Sequence, residues 1–184
     1  MNKYYYLENY FDIPFTEYFQ EIAEKHEYVQ GLVVNADGTV ALDEKRKCEI
    51  IPINPFQEPG LVQKLLFVAN RLNLNFQFDI NGIREITMTK YQVGGEYDWH
   101  QDVNWRDYPS HRKLTIIIQL TNPESYDGGD LNLMDCNISE ENAKALRKQG
   151  TVIVFPSILK HRITPITRGV RKSLVAWAEG PTWR

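Results

Sequence analysis

Cysteine is nearly absent from this 184-residue chain: Cys48 and Cys136 are the only two, and they form no CxxC pair. A disulfide framework is thereby excluded, and both read as reduced thiols. Histidine is scarce too, limited to His26, His100, His111 and His161, so any imidazole-ligated metal site draws on these four. No apolar run approaches the roughly 20 residues that span a bilayer. The opening Met1-Asn2-Lys3-Tyr4-Tyr5-Tyr6 lacks the apolar core of a secretion signal. These absences predict a cytoplasmic protein with no membrane partner. A formal charge of −3 offers phosphate backbones no general attraction, which disfavours a nucleic-acid partner. Repeats, low-complexity segments and Gly/Ser/Pro-rich linkers are also missing, so residues 1–184 read as one domain.

What is present changes character along the chain. Residues 1–84 read as a helical and irregular support. Thr16 to Tyr28 and Leu61 to Leu74 carry apolar residues at helical spacing, with Thr16 as the expected N-cap of the first helix. Gly31 to Val34 reads as a strand, Asn35 to Gly38 as a turn, and Asp43 to Lys47 as a solvated charged loop. Residues 85–180 are rich in short strands. Glu85 to Val93 is one. Lys113 to Thr121 is almost continuously apolar, as expected of a strand covered on both faces. After a turn at Tyr126 to Gly129, Asp130 to Met134 alternates. Ser139 to Gln149 reads as a short helix capped by Ser139, with Glu140 and Glu141 at its positive end and Gly150 closing it. Thr151 to Phe155, His161 to Ile166 and Val170 to Glu179 complete the strands. This order predicts a mainly β (α+β) fold, a double-stranded β-helix or jelly roll flanked by N-terminal helices.

His100-Gln101-Asp102 places an imidazole and a carboxylate two residues apart, where strand geometry aims both to one side. His161, at the start of a later strand, is the available third ligand. Two imidazoles and one carboxylate occupy one face of an octahedron and leave three positions open, an arrangement suited to non-haem Fe(II). Mn(II), Co(II) and Ni(II) also suit such ligands, and affinity alone does not choose among them. Ten residues beyond His161 stands Arg171, followed by Ser173, Val175 and Trp177 on one strand face. A buried guanidinium needs a partner, and a dicarboxylate ligand supplies one through a two-pronged, charge-assisted contact.

Taken in order, Tyr91, Tyr97 to Asp102, Tyr126 to Leu131, Gly150 to Pro156, His161, Arg171 to Ser173 and Trp177 form a pattern. It resembles the 2-oxoglutarate- and Fe(II)-dependent oxygenases, and most of all their prolyl 4-hydroxylase-like branch. The resemblance implies that His100, Asp102 and His161 ligate the catalytic iron. It implies that Arg171 binds the distal carboxylate of 2-oxoglutarate with help from Ser173, that Tyr91 lines that pocket, and that Trp177 stands at its wall. In close relatives a tyrosine often occupies the position of Gln119, where this chain carries an amide. The implied reaction uses O2, with ascorbate as accessory reductant. It hydroxylates an unactivated C–H bond, in this branch a peptidyl proline, and releases succinate and CO2. The presence of Asp102 favours hydroxylation over halogenation, since halogenating relatives carry a small residue there.

The aromatic and basic residues flanking the HxD pair read as the pocket mouth, with Tyr97, Trp105 and Arg112 as candidate contacts to a peptide or protein substrate. They serve equally well as cover for the barrel end. His111 reads as a surface histidine. Three other readings remain open: a hydroxylase of a free amino acid or other small molecule, a nucleic-acid demethylase of the same fold, which the negative charge disfavours, and a non-catalytic metal-binding jelly roll. The last would have no use for Arg171 and Ser173.

Overall fold

The computed structural model of the chain describes residues 2–34, 40–41, 44–103 and 111–183. The chain opens with β1 (Tyr5–Leu7) and α1 (Ile13–Lys25), followed by β2 (Val29–Gln30), β3 (Val33–Val34), β4 (Val40–Ala41), β5 (Arg46–Lys47) and β6 (Glu49–Ile53). Next come α2 (Pro59–Asn73), β7 (Gly82–Tyr91), β8 (Glu96–His100) and β9 (Arg112–Gln119). After a 3-10 turn at Pro123–Ser125 the chain forms β10 (Asp127–Gly128), β11 (Leu131–Leu133) and α3 (Glu140–Arg147). The last strands are β12 (Val152–Pro156), β13 (His161–Ile163), β14 (Ile166–Arg168) and β15 (Arg171–Glu179).

Two antiparallel sheets face each other. The larger has the order β1-β12-β9-β15-β7-β6-β2, and the smaller β11-β13-β8-β5. The central strands of the larger sheet explain the nearly continuous apolar run in β9. Leu114, Ile116 and Ile118 join Leu174, Ala176 and Ala178 of β15 under α1 and α2. Ile117 points the other way, into a second cluster between the sheets with Ile153, Phe155, Ile163 and Ile166. Both faces are covered, so polar alternation has no place there except where a side chain serves the space between the sheets. Such a core, with helices on one side and a second sheet on the other, is a double-stranded β-helix.

Local chemistry sets the helix ends. α1 is capped by Asp12, whose side chain accepts from the Phe15 N–H at 3.0 Å, with proline in the first turn. Thr16 is therefore not the cap. It lies inside the helix, buried, with its hydroxyl donating to the Ile13 carbonyl at 2.8 Å. α3 is capped by Ser139, which accepts from the Asn142 N–H at 3.2 Å.

The first third is more than a support, because it completes both sheets. β1 pairs with β12, β6 with β7, and β5 with β8. The segment expected as a charged loop thus places Arg46 opposite Tyr97 and Lys47 opposite Glu96. Strands this short, polar on an exposed edge, leave no alternation to read. The expected turn at 35–38 lies outside the described residues. His161 to Ile166 is not one strand: Pro165, which has no N–H to donate, separates β13 from β14. The turn opposite it is equally constrained. Gly128 has φ +74, and a Cβ there would stand 2.0 Å from the Pro165 carbonyl oxygen, so only glycine fits. No helix among the described residues is long and apolar enough to cross a membrane.

Candidate metal centre and co-substrate pocket

β8 and β13 run antiparallel with His100 opposite His161. This pairing brings together two imidazoles 61 residues apart in sequence. Asp102 lies just beyond the end of β8 and is tied down by its own N–H, which donates to the Ser157 carbonyl at 3.0 Å. The potential ligand atoms of His100, Asp102 and His161 all lie within 4.8 Å of one another. Each histidine Nε2 is 3.6 Å from an Asp102 oxygen, His100 from Oδ1 and His161 from Oδ2.

The surroundings orient all three. His100 Nδ1 is 2.7 Å from the Asp98 carbonyl oxygen, and His161 Nδ1 is 2.9 Å from that of Leu159. A carbonyl oxygen only accepts, so each Nδ1 carries the proton and each Nε2 presents its lone pair. Tyr97 stacks on His100 with ring centroids 3.4 Å apart, and Phe155 meets His161 edge-on at 4.8 Å. Asp102 Oδ2 accepts from Thr115 Oγ1 at 2.6 Å and from Trp177 Nε1 at 2.9 Å. Since Thr115 spends its proton on Asp102, the 3.1 Å contact with Ser157 Oγ has serine as donor. Oδ1 is left facing His100 Nε2.

Electrostatics prepare the same set. Burial, reinforced by His161, drops the His100 pKa to about 4. Burial alone would raise Asp102, but His161, His100 and Arg112 together with the Thr115 hydrogen bond outweigh it and bring it to about 2. At neutral pH the pair is a carboxylate and a neutral imidazole, the forms a metal ion binds.

The triad opens into a cavity that Arg171 and Ser173 also line. Arg171 is 1% exposed. Its Nη1 donates to Ser173 Oγ at 3.3 Å, while Nε and Nη2 have no partner among the described residues. Thr89 Oγ1 holds Ser173 Oγ from the neighbouring strand at 2.7 Å. A buried cation with two idle N–H groups, and no acid beside it among the described residues, suits an anionic partner. Tyr91 stands opposite Arg171 in the β7–β15 ladder and lines the cavity, its phenol pKa pushed up by burial. Ile117, Ile163 and Val175 supply apolar wall.

The remaining expected positions divide. Trp177 and Tyr97 line the cavity. Gln119 does not. It sits opposite Ser173 in the ladder, but its amide N–H donates to the Leu146 carbonyl at 2.8 Å and its oxygen is buried without a partner among the described residues. Arg112 is not among the described lining residues, and its guanidinium stacks on the Trp177 ring. Trp105 lies outside the described residues. His111 is exposed and bonds the Gly180 carbonyl through Nδ1 at 3.1 Å, away from the triad. Sequence reasoning missed Thr115, whose polarity inside an isoleucine run was the available signal. It also missed Arg46, which lines the cavity from β5, its guanidinium 5.0 Å above the Tyr97 ring.

A family model described as the 2OG-Fe(II) oxygenase superfamily matches residues 86–179. The chain belongs to this superfamily. The PKHD-type hydroxylase YbiX of Escherichia coli O1:K1 is 33% identical over 167 residues, covering 88% of this chain and 71% of the relative. A PKHD-type hydroxylase of Synechococcus sp. (strain JA-2-3B'a(2-13)) is 29% identical over 124 residues, covering 64% of this chain. The chain spans about half the length of that relative, 54%. Among solved structures, the fold is similar to a prolyl-4-hydroxylase of Pseudomonas putida at TM-score 0.74 and 17% identity, covering 98% of this chain and 94% of that one. It is also similar to the viral collagen prolyl hydroxylase of Paramecium Bursaria Chlorella virus-1 at TM-score 0.70 and 16% identity, covering 98% and 97%. At these identities the structures show the shared double-stranded β-helix. The superfamily is named for 2-oxoglutarate and Fe(II), and this chain's donors fit both: an N,N,O triad for an ion, and a buried, incompletely bonded guanidinium for a carboxylate.

Proposed function

We propose that this chain is an Fe(II)- and 2-oxoglutarate-dependent dioxygenase that hydroxylates an unactivated C–H bond of a peptidyl proline, releasing succinate and CO2. The observation that carries this reading is the Arg171 guanidinium, buried and incompletely bonded on the cavity that holds the triad. His100, Asp102 and His161 hold the ion through Nε2, a carboxylate oxygen and Nε2. When bound, Fe(II) together with O2 and the 2-oxo acid supplies the oxidising power. Arg171 and Ser173 grip the distal carboxylate and so set which way the 2-oxo acid end points. The apolar wall of Ile117, Ile163 and Val175 keeps water from the reacting C–H.

The peptidyl substrate is supported by fold neighbours described as prolyl hydroxylases, one of them in complex with a peptide fragment from Trichoplax adhaerens, at TM-score 0.68 and 15% identity. Tyr97 cannot offer both its faces to a proline, because its ring is stacked on His100 and approached by Arg46. Its hydroxyl, held protonated by a pKa raised to about 12, is what it can present. One observation favours a second reading, a free amino acid or other small acid. Arg46 is a second guanidinium on the cavity, bonded to Cys48 Sγ and the Leu32 carbonyl with no carboxylate partner among the described residues.

The test is succinate release from 2-oxoglutarate with Fe(II), O2 and ascorbate, followed by mass detection of a gained oxygen on a proline-containing peptide array and on free amino acids. Succinate that disappears in His161→Ala, with oxygen gained on peptides, is the expected result. No succinate with any substrate refutes the enzyme reading, and oxygen gained only on free acids favours the second.

A further inference from the structure

Arg112 was expected at the pocket mouth, yet its contacts run toward the metal carboxylate. Its guanidinium carbon lies 3.8 Å over the Trp177 ring. The indole Nε1–H of Trp177 donates to Asp102 Oδ2 at 2.9 Å. Arg112 also reaches Asp102 directly, Nη1 donating to its main-chain carbonyl at 3.3 Å. Its other arm, Nη2, is paired with Glu85 of β7. In the sheet, Trp177 stands opposite Glu85 on one side and Thr115 on the other. The ion pair, the stacked guanidinium, the indole and the carboxylate therefore form one connected path across β7, β15 and β9, ending on the oxygen that Thr115 also holds.

Resting on the metal-site reading above, we propose that Arg112 is a positioning residue for Asp102. It fixes the carboxylate's main chain through one hydrogen bond and its side chain through Trp177, with Glu85 as its anchor. The chemistry requires this arrangement. Asp102 has two oxygens, and an ion held between His100 and His161 needs one of them aimed and the other occupied. Thr115 and Trp177 occupy Oδ2. A threonine on a central strand is held by its backbone, but an indole on a sheet face can tilt about its side-chain torsions. A planar cation over the ring restrains the tilt, and an arginine does so better than a lysine because it stacks and forks at once. Both guanidinium arms have protein partners instead, Nη1 on the Asp102 carbonyl and Nη2 on Glu85.

The test uses Co(II) titrations of the full chain in the absence of O2, reading affinity and the visible ligand-field bands, alongside thermal unfolding. Trp177→Phe, which keeps a ring but loses the N–H, is expected to weaken Co(II) about tenfold and shift the bands. Arg112→Ala is expected to weaken Co(II) several-fold, about threefold to tenfold, and shift the bands the same way. Arg112→Lys, which keeps the charge without the stack, falls between that variant and the wild type. In the double-mutant cycle the arginine effect shrinks once the indole N–H is gone, because the two act in series. Strictly additive effects, or an Arg112→Ala protein with wild-type affinity and bands, overturn the proposal. A rise only in substrate KM with the metal parameters unmoved also overturns it and returns Arg112 to the substrate. Wild-type protein that binds no Co(II) overturns the metal-site reading itself. If Arg112→Ala does not fold, Glu85→Gln and Arg112→Lys carry the same test, since both keep the size of the side chain.

Discussion

Thr115 Oγ1 lies 2.6 Å from Asp102 Oδ2, a buried hydroxyl placed in the middle of an isoleucine strand to serve one carboxylate. The hydroxyl is kept because an acceptor-rich carboxylate beside two imidazoles needs a donor that does not compete for the metal.

Thr115→Val keeps the shape and removes that donor. Metal affinity is expected to fall about tenfold. The metal-free protein is expected to lose about 1–2 kcal/mol of stability, since Asp102 Oδ2 and Ser157 each lose a partner. Mn(II) titration and denaturant unfolding measure the two effects separately. Unchanged metal affinity would mean that Trp177 alone holds the carboxylate.

Arg171→Ala removes the charged partner proposed for the distal carboxylate. Charge-assisted hydrogen bonds contribute about 1.5–3 kcal/mol, so the 2-oxoglutarate requirement is expected to rise about a hundredfold. Mn(II) affinity, set by the triad, is expected to stay within a factor of about two. Equilibrium titration of the Mn(II)-loaded protein with 2-oxoglutarate decides it. An unaltered co-substrate affinity would refute the assignment of the guanidinium.

The titration of His100 has a definite sign. Its folded pKa is about 4 against 6.5 for a free imidazole. Between those values the unfolded chain binds a proton that the folded one does not, so the metal-free protein loses stability as pH falls from about 6.5 to about 4. Asp102 acts in the same direction lower down: its contribution is complete above 3.8 and disappears as pH falls to about 2. Thermal unfolding of metal-free protein from about pH 7 to about pH 4.5 is expected to show the first loss, flattened in His100→Ala. A wild-type curve no steeper than that of the variant would contradict the assigned shift.

Removing the metal has a calculable cost. At a hundredfold excess over Kd, a ligand that binds only the folded state stabilises it by about 2.7 kcal/mol. For a domain of this size that corresponds to about 5–10 °C in Tm. Chelation should lower the melting temperature by that amount in the wild type and not in His161→Ala. Equal shifts in both would place the ion elsewhere.

The fold class and the chemical site differ in how far they were legible. The HxD pair, His161 and Arg171 could be identified along the chain because ligand atoms and a buried cation are rare residue types in a strand-rich region. Alternation then told which side of β15 held Arg171, Ser173 and Trp177. The reading failed where chemistry depends on a partner far away in sequence. Gln119 has the right position along β9, but its amide is captured by the Leu146 carbonyl. Arg46 looked like part of a charged loop until β5 paired with β8 and brought it over Tyr97.

Composition and local pattern by themselves determined the class of chain, the helix caps at Ser139 and the candidate ligands, since these depend on residues a few positions apart. Tertiary structure alone decided which atoms converge. Asp102 is aimed by Thr115, 13 residues on, and by Trp177, 75 residues on. Strand pairing closes those gaps, and no local periodicity encodes it, because a hydrogen-bonded ladder joins segments by register rather than by sequence distance.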